Sequence, residues 1–186
     1  MSDKSNENKL PEDRFTPEPN DPPIPGNGKS DELTETPALV INGQYIKDFS
    51  FEAPNTPEIF NLLQTEMPNI QVDIDVQGEG KDKGLFEVIL KVRAEANVKD
   101  ERVYICELSY AGLFSINVPQ DQLGPVLMIE CPLILFPFLR RVVADVTGDG
   151  GFAPLMLAPV DFAMLFQQKV QQTQKEQAFT SVNEET

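Results

Sequence analysis

Alternation of apolar and polar side chains dominates the middle of the chain. In residues 44–53 (QYIKDFSFEA), Tyr45, Lys47, Phe49, Phe51 and Ala53 fall on one face, and Ile46, Asp48, Ser50 and Glu52 on the other. A period of two marks a strand with two different faces. Pro54, Asn55 and Pro57 stop it. The connection at 54–69 carries Ile59, Phe60, Leu62 and Leu63, which makes it too apolar for a plain solvent loop. Residues 70–76 (IQVDIDV) alternate strictly, and the Gly-rich 77–84 reads as a turn. A long strand over 85–98 and another over 102–112 follow, with Val103, Ile105, Glu107 and Ser109 sharing a face of the latter. Four strands joined mostly by short polar turns predict an antiparallel sheet with one covered and one largely polar face.

After Gly112 the period changes. Residues 113–119 read as an extended connection. Helical spacing runs from about Asp121 to Val146, with Pro125, Pro132 and Pro137 inside it. Pro125 fits a first helical turn, whereas the other two are expected to kink or break the helix. The middle of this segment is apolar on all sides, as in a helix buried all round or sandwiched between subunits. Pro159 is expected to open a second helix to about Gln174, with Phe162, Leu165, Phe166 and Lys169/Val170 at amphipathic spacing. One sheet and two helices do not cover all this apolar surface, and a symmetric homo-oligomer is the simplest resolution.

Composition sets the boundaries. Residues 1–37 hold seven prolines and nine acids against four bases, so they are expected to form a disordered acidic tail, either a spacer or a docking segment. Residues 173–186 are expected to form a flexible acidic C-terminal tail, which leaves one domain over 38–172. The formal charge of -15 argues against nucleic acid or an anionic membrane as the main partner. No secretory signal is evident, and the longest apolar run (131–139) is shorter than the roughly 20 residues of a membrane span. A cytoplasmic setting with both thiols free is therefore expected.

The same composition limits the chemistry. Histidine is absent, so no imidazole base or ligand is available. Cys106 and Cys131 lie among apolar residues and read as small core hydrophobes. Asp73 and Asp75 sit mid-strand without further metal ligands, and the turn at 78–84 lacks the spacing of a phosphate-binding loop. No enzyme constellation, metal site or cofactor is expected. What remains is surface. Asp48, Glu52, Asp73, Asp75, Glu95 and Glu107 with Ile105 fit either a site for a basic partner or an ordinary solvated face. The apolar 54–69 connection and the last helix fit either a groove for unfolded chain or plain core packing. An enzyme or small-ligand carrier using a cavity behind the crossover, and a plain acidic adaptor, are the rival readings.

Several segments in fixed order then resemble one family. They are YIKDFSFEAPNTP (45–57), EVILKVRAEA (87–96), ICEL (105–108) followed by AGLFSI (111–116), and CPLILFPFLRRVVADVTGDGGFAPLMLAPVDFAMLF (131–166). Together they are similar to the SecB protein-export chaperones from about Tyr45 to Gln172. The resemblance implies an α+β fold, with a four-stranded antiparallel sheet followed by two helices, the first kinked at prolines. It also implies assembly as a dimer of dimers without a cofactor. It implies an ATP-independent cytosolic holdase that keeps secretory precursors unfolded and delivers them to the SecA motor. The SecA-docking residues would be Asp48, Glu52, Ile105 and Glu107. Client contacts would fall on Phe60, Leu63, Ile70, Val72, Ile74, Phe166 and Val170. The first helix would carry the tetramer interface, through Leu127, Leu135 and Leu139. The long Pro-rich N-terminal tail departs from the family pattern.

Overall fold

A computed structural model describes residues 38–183, with side chains to residue 174. The Pro-rich segment 1–37 and the last three residues of the C-terminal tail lie outside the described residues. The chain forms strands β1 (Leu39–Glu52), β2 (Asn69–Asp82), β3 (Leu85–Val98) and β4 (Glu101–Ile116), with a one-turn helix α1 (Ile59–Leu62) between β1 and β2. Helical structure follows as α2 (Gln120–Pro125), a π-helical turn (Val126–Glu130), α3 (Cys131–Asp149) and α4 (Phe162–Asn183). The sheet is antiparallel throughout, in the order β1-β4-β3-β2.

The strands run longer than the expected segments. β2 continues through Gly78 and Gly80, so the turn shrinks to Lys83–Gly84, where Gly84 takes φ +71° and the Asp82 carboxylate accepts the Lys83 N–H. β4 absorbs the expected connection after Gly112. Phe114 and Ile116 keep the core-side alternation, and both neighbouring strands pair with this stretch.

A register shift between Ile46 and Asp48 corrects the expected faces of β1. Tyr45 pairs with Ala111 and Asp48 with Ser109, whereas Ile46 pairs with Tyr110 and Phe49 with Leu108. A bulge adds one residue and inverts the parity on its far side. Tyr45 therefore shares the open face with Asp48 and Glu52, and Ile46 shares the core face with Phe49 and Phe51.

The core lies between this second face and α3. Leu90, Ala94, Cys106 and Phe114 from the sheet are fully buried against Cys131, Leu135, Leu139 and Val143 from the helix. Gly112 makes the close approach possible. A Cβ there would lie 2.8 Å from Leu135 and 2.6 Å from the Phe114 ring. Thr147, also fully buried, donates its hydroxyl to the Val143 carbonyl and accepts the Leu155 N–H at 2.9 Å, which ties the return loop to α3. A second cluster forms around Ile59, Ala96, Val98, Val103 and Tyr104 under the crossover, closed by Phe60 and Phe152.

Neither proline breaks the long helix. The chain stays helical from Gln120 to Asp149 and widens just before Pro132, where the Cys131 N–H reaches back five residues to Val126. A proline lacks its own N–H and crowds the carbonyl four residues earlier, and a π turn relieves both problems without a break. α4 begins three residues after Pro159, capped by Asp161, whose carboxylate accepts the Met164 N–H at 2.9 Å. It runs past the expected end at Gln174 to Asn183.

The all-round apolar helix has one stripe against the sheet and exposed apolar residues outside it. Cys131, Leu135, Leu139 and Val143 recur every four residues and face the sheet. Leu133 (52 % exposed) lies on the opposite side of the helix, and Phe138 (42 % exposed) lies at the flank of the buried stripe. Phe138 stacks on Tyr110, whose neighbour in the sheet is Ile46, itself 49 % exposed. One chain thus leaves exposed apolar surface at Ile46 and Phe138 beside β1, and separately at Leu133 on the outer side of α3.

Candidate functional sites on the two sides of the sheet

The open face is built by cross-strand register. Three rows cross all four strands in the order β1, β4, β3, β2. They are Asp48, Ser109, Lys91 and Asp75; Ser50, Glu107, Arg93 and Asp73; and Glu52, Ile105, Glu95 and Gln71. The sequence-predicted docking residues Asp48, Glu52, Ile105 and Glu107 all fall within this block. Asp48 and Glu107 share a shallow trough of about 340 Å³ with Asp73, Asp75, Lys91 and Arg93. Glu52 and Ile105 lie opposite each other in the next row, beyond that trough.

The charges of this block are unequally paired. Arg93 donates to Glu107 through one guanidinium nitrogen and to Glu95 through the other at 3.0 Å, and Arg102 also reaches Glu95 at 2.9 Å. Hydrogen bonds from Asn97 and Arg93 lower the Glu95 carboxyl below its usual range. Asp48, Glu52 and Asp73 pair with no base among the described residues. A face of this kind attracts cations through its unpaired acids, whereas Ile105, only 7 % exposed, offers little apolar surface of its own.

Beside the block sits a buried charge. The Glu87 carboxylate, 4 % exposed, accepts Tyr45 Oη at 2.5 Å and Lys47 Nζ at 2.7 Å, with Lys81 Nζ at 2.9 Å. Hydrogen bonds from Lys47, Tyr45 and Lys81 hold its pKa at about 2. Alternation alone reads Glu87 as a solvated residue. Only the register and the β1 bulge bring its three partners together.

The opposite side carries the apolar sites. Phe60, Leu63 and Ile70 line one hollow of about 330 Å³ with Met67, Tyr104 and Phe152. Ile70, Val72 and Ile74 line a second, of about 420 Å³, against Leu155–Val160. Ile74 and Phe166 line a third, of about 170 Å³, with Met128 and Lys169. Ile70 and Ile74 are each shared by neighbours, so the three hollows run in line along the core-side edge of β2. Lys169 fixes the far end, donating to Asp75 and to the Val76 carbonyl at 2.8 Å. Val170 is exposed on α4 and lines none of the three. Sequence reasoning missed Met67, Met156 and Phe152 as groove residues, and their methionine and aromatic character in loops was the available signal.

The expected interface residues need correction. Leu135 and Leu139 are fully buried against the sheet of their own chain, so neither has surface to give to a partner. Leu127 is half-buried and packs beside Gly78. The exposed apolar residues of this helix are Leu133 and Phe138. Both cysteines are buried, which pushes Cys106 to about 11 and Cys131 to about 12, so they stay protonated near neutral pH. Among the described residues no group of His, Cys, Asp and Glu is placed to hold a metal, and no helix is long and apolar enough to cross a membrane.

The comparisons with known proteins agree with this architecture. The family model described as preprotein translocase subunit SecB matches residues 32–173. The protein-export protein SecB of Parvibaculum lavamentivorans is 49% identical over 148 residues, covering 79% of this chain and 87% of that protein. That of Rhodospirillum rubrum is 45% identical over 140 residues, covering 75% and 87%. Among solved structures, the Mycobacterium tuberculosis Rv1957 SecB-like chaperone, in complex with a ChAD peptide from the Rv1956 HigA1 antitoxin, shares the fold. It has a TM-score of 0.56 and 15% identity over 66% of this chain and 91% of that one. The chain belongs to the SecB family of protein-export chaperones.

Proposed function

We propose that this chain is an ATP-independent cytosolic holdase that keeps secretory precursors unfolded and hands them to SecA. The observation that carries the reading is the division of labour between the two sides of one sheet. The apolar line of hollows along β2 has the shape an extended, unfolded chain would follow. Burial contributes about 25 cal/mol per Å² of apolar surface, so affinity would accumulate along the groove rather than at one residue. Clients would be chosen by exposed apolar length and not by sequence, and a folded protein offers too little. The acidic block around Ile105 and Glu107 on the other side suits a basic docking segment of SecA. No step in this cycle calls for a catalytic group.

The working unit is a homotetramer built as a dimer of dimers. The exposed apolar side chains of Ile46, Phe138 and Leu133 support it, since apolar surface left bare on a free chain would favour association. The test is size exclusion with light scattering, on the protein alone and after mixing with a chemically unfolded chain or its folded counterpart. A mass of four subunits with co-elution of the unfolded chain only is expected. A particle that ignores the unfolded chain would remove the holdase and leave an acidic adaptor.

A further inference from the structure

Glu107 is the acid at the centre of the docking block, and it is already engaged. Arg93 lies directly opposite it on β3 and holds Glu107 and Glu95 with the two arms of one guanidinium. Asp48 and Glu52, at the β1 side of the block, carry no such partner among the described residues. Arg93 and Glu107 are both nearly half exposed, so an incoming cation can reach the pair from solvent.

We propose that Arg93 is the internal counterion that a cationic partner segment must displace from Glu107. It thereby sets the affinity of the docking face. This rests on the docking reading given above. The unpaired acids draw the partner in, and exchange at Glu107 then trades one ion pair for another. The released guanidinium keeps Glu95 and has Asp73 next to it on β2. The exchange makes docking weak and readily reversed, as a carrier that must let go of its motor requires. Lys91 sits one row away on the same face and pairs with no acid among the described residues. Its charge opposes a cation through the field alone.

That difference defines the experiment. The full chain, Arg93→Gln, Lys91→Gln, Glu107→Gln and the double variant Arg93→Gln/Glu107→Gln are titrated calorimetrically with a lysine-rich peptide at low ionic strength. An exposed pair is worth up to about 1 kcal/mol, so Arg93→Gln is expected to bind about two- to fivefold more tightly than the natural chain. The gain should exceed that of Lys91→Gln, and the excess should vanish in the Glu107→Gln background. Equal gains from Arg93→Gln and Lys91→Gln, or weaker binding by Arg93→Gln, would overturn the exchange while leaving the docking face in place. Unchanged binding by Glu107→Gln alone would overturn the docking reading and the exchange with it.

Discussion

Leu135 and Leu133 sit two residues apart on one helix and should fail in different ways. The Leu135 side chain is fully buried between α3 and the sheet, at a point where Gly112 has no side chain to fill a void. Leucine-to-alanine changes in cores cost about 2–5 kcal/mol, with the larger values where the surroundings cannot collapse. α3 is held at its C-terminal end by the Thr147 bonds, and the sheet behind Gly112 is a paired central strand. Leu135→Ala is therefore placed at about 3–4 kcal/mol of lost stability. Leu133 is half exposed, so Leu133→Arg should change the stability of the fold by only about 0.5 kcal/mol. It should instead put a charge on the exposed outer side of α3 and lower the mass of the assembly. Urea denaturation followed by circular dichroism reads the first effect, and light scattering across a dilution series reads the second. A Leu135→Ala cost below about 1 kcal/mol with a lowered assembly mass would refute the assignment of Leu135 to the core. A Leu133→Arg chain with unchanged mass would remove the outer side of α3 from the interface.

Two further predictions follow from buried polar groups. The Glu87 pKa is depressed to about 2, so its contribution is fully present above the unfolded value near 4.5 and is lost as pH falls towards 2. Allowing for screening of its part-exposed lysine partners, that contribution is about 2 kcal/mol. Glu87→Gln should lower the urea midpoint at neutral pH and converge with the natural chain near pH 2; a gap independent of pH would contradict the ion cluster. Thr147→Val should cost about 1–3 kcal/mol, because the Leu155 N–H loses its acceptor. Hydrogen exchange at the Leu155 amide should accelerate, and unchanged protection would show that the tie is not structural.

Alternation in the sequence places Asp48 with Glu52 on one face of β1 and Ile105 with Glu107 on one face of β4, and the resemblance to the SecB chaperones joins the four into one set; the β1–β4 register brings them side by side. The faces of β1 are only partly legible, since period two carries no sign of a bulge, and the extra residue near Lys47 reverses which side Tyr45 and Ile46 take. The Gly-rich stretch read as a long turn because glycine weakens strand propensity. Its pairing with β3 supplies the hydrogen bonds that override the propensity. Pro132 reads as a break because local rules do not foresee the π turn just before it, whereas Pro137 is carried inside the regular helix α3. The resemblance points to this helix as the interface, but an apolar helix shows no phase in its sequence, so Leu135 and Leu139 are not told apart there from exposed Leu133. Only the sheet beneath it decides which side is core. The Arg93 and Glu87 clusters were hidden for a similar reason, as their partners lie on other strands.

The separation of the two surfaces is tested most directly by crossing two variants with two assays. Glu107→Lys reverses a charge on the open face, and Val72→Asp places a charge in the β2 groove on the other side of the sheet. Each is assayed for binding to SecA and for preventing aggregation of a chemically unfolded protein. Glu107→Lys should lose SecA and keep its clients, whereas Val72→Asp should lose clients and keep SecA. A folded variant that loses both activities equally would contradict the division on which the account rests.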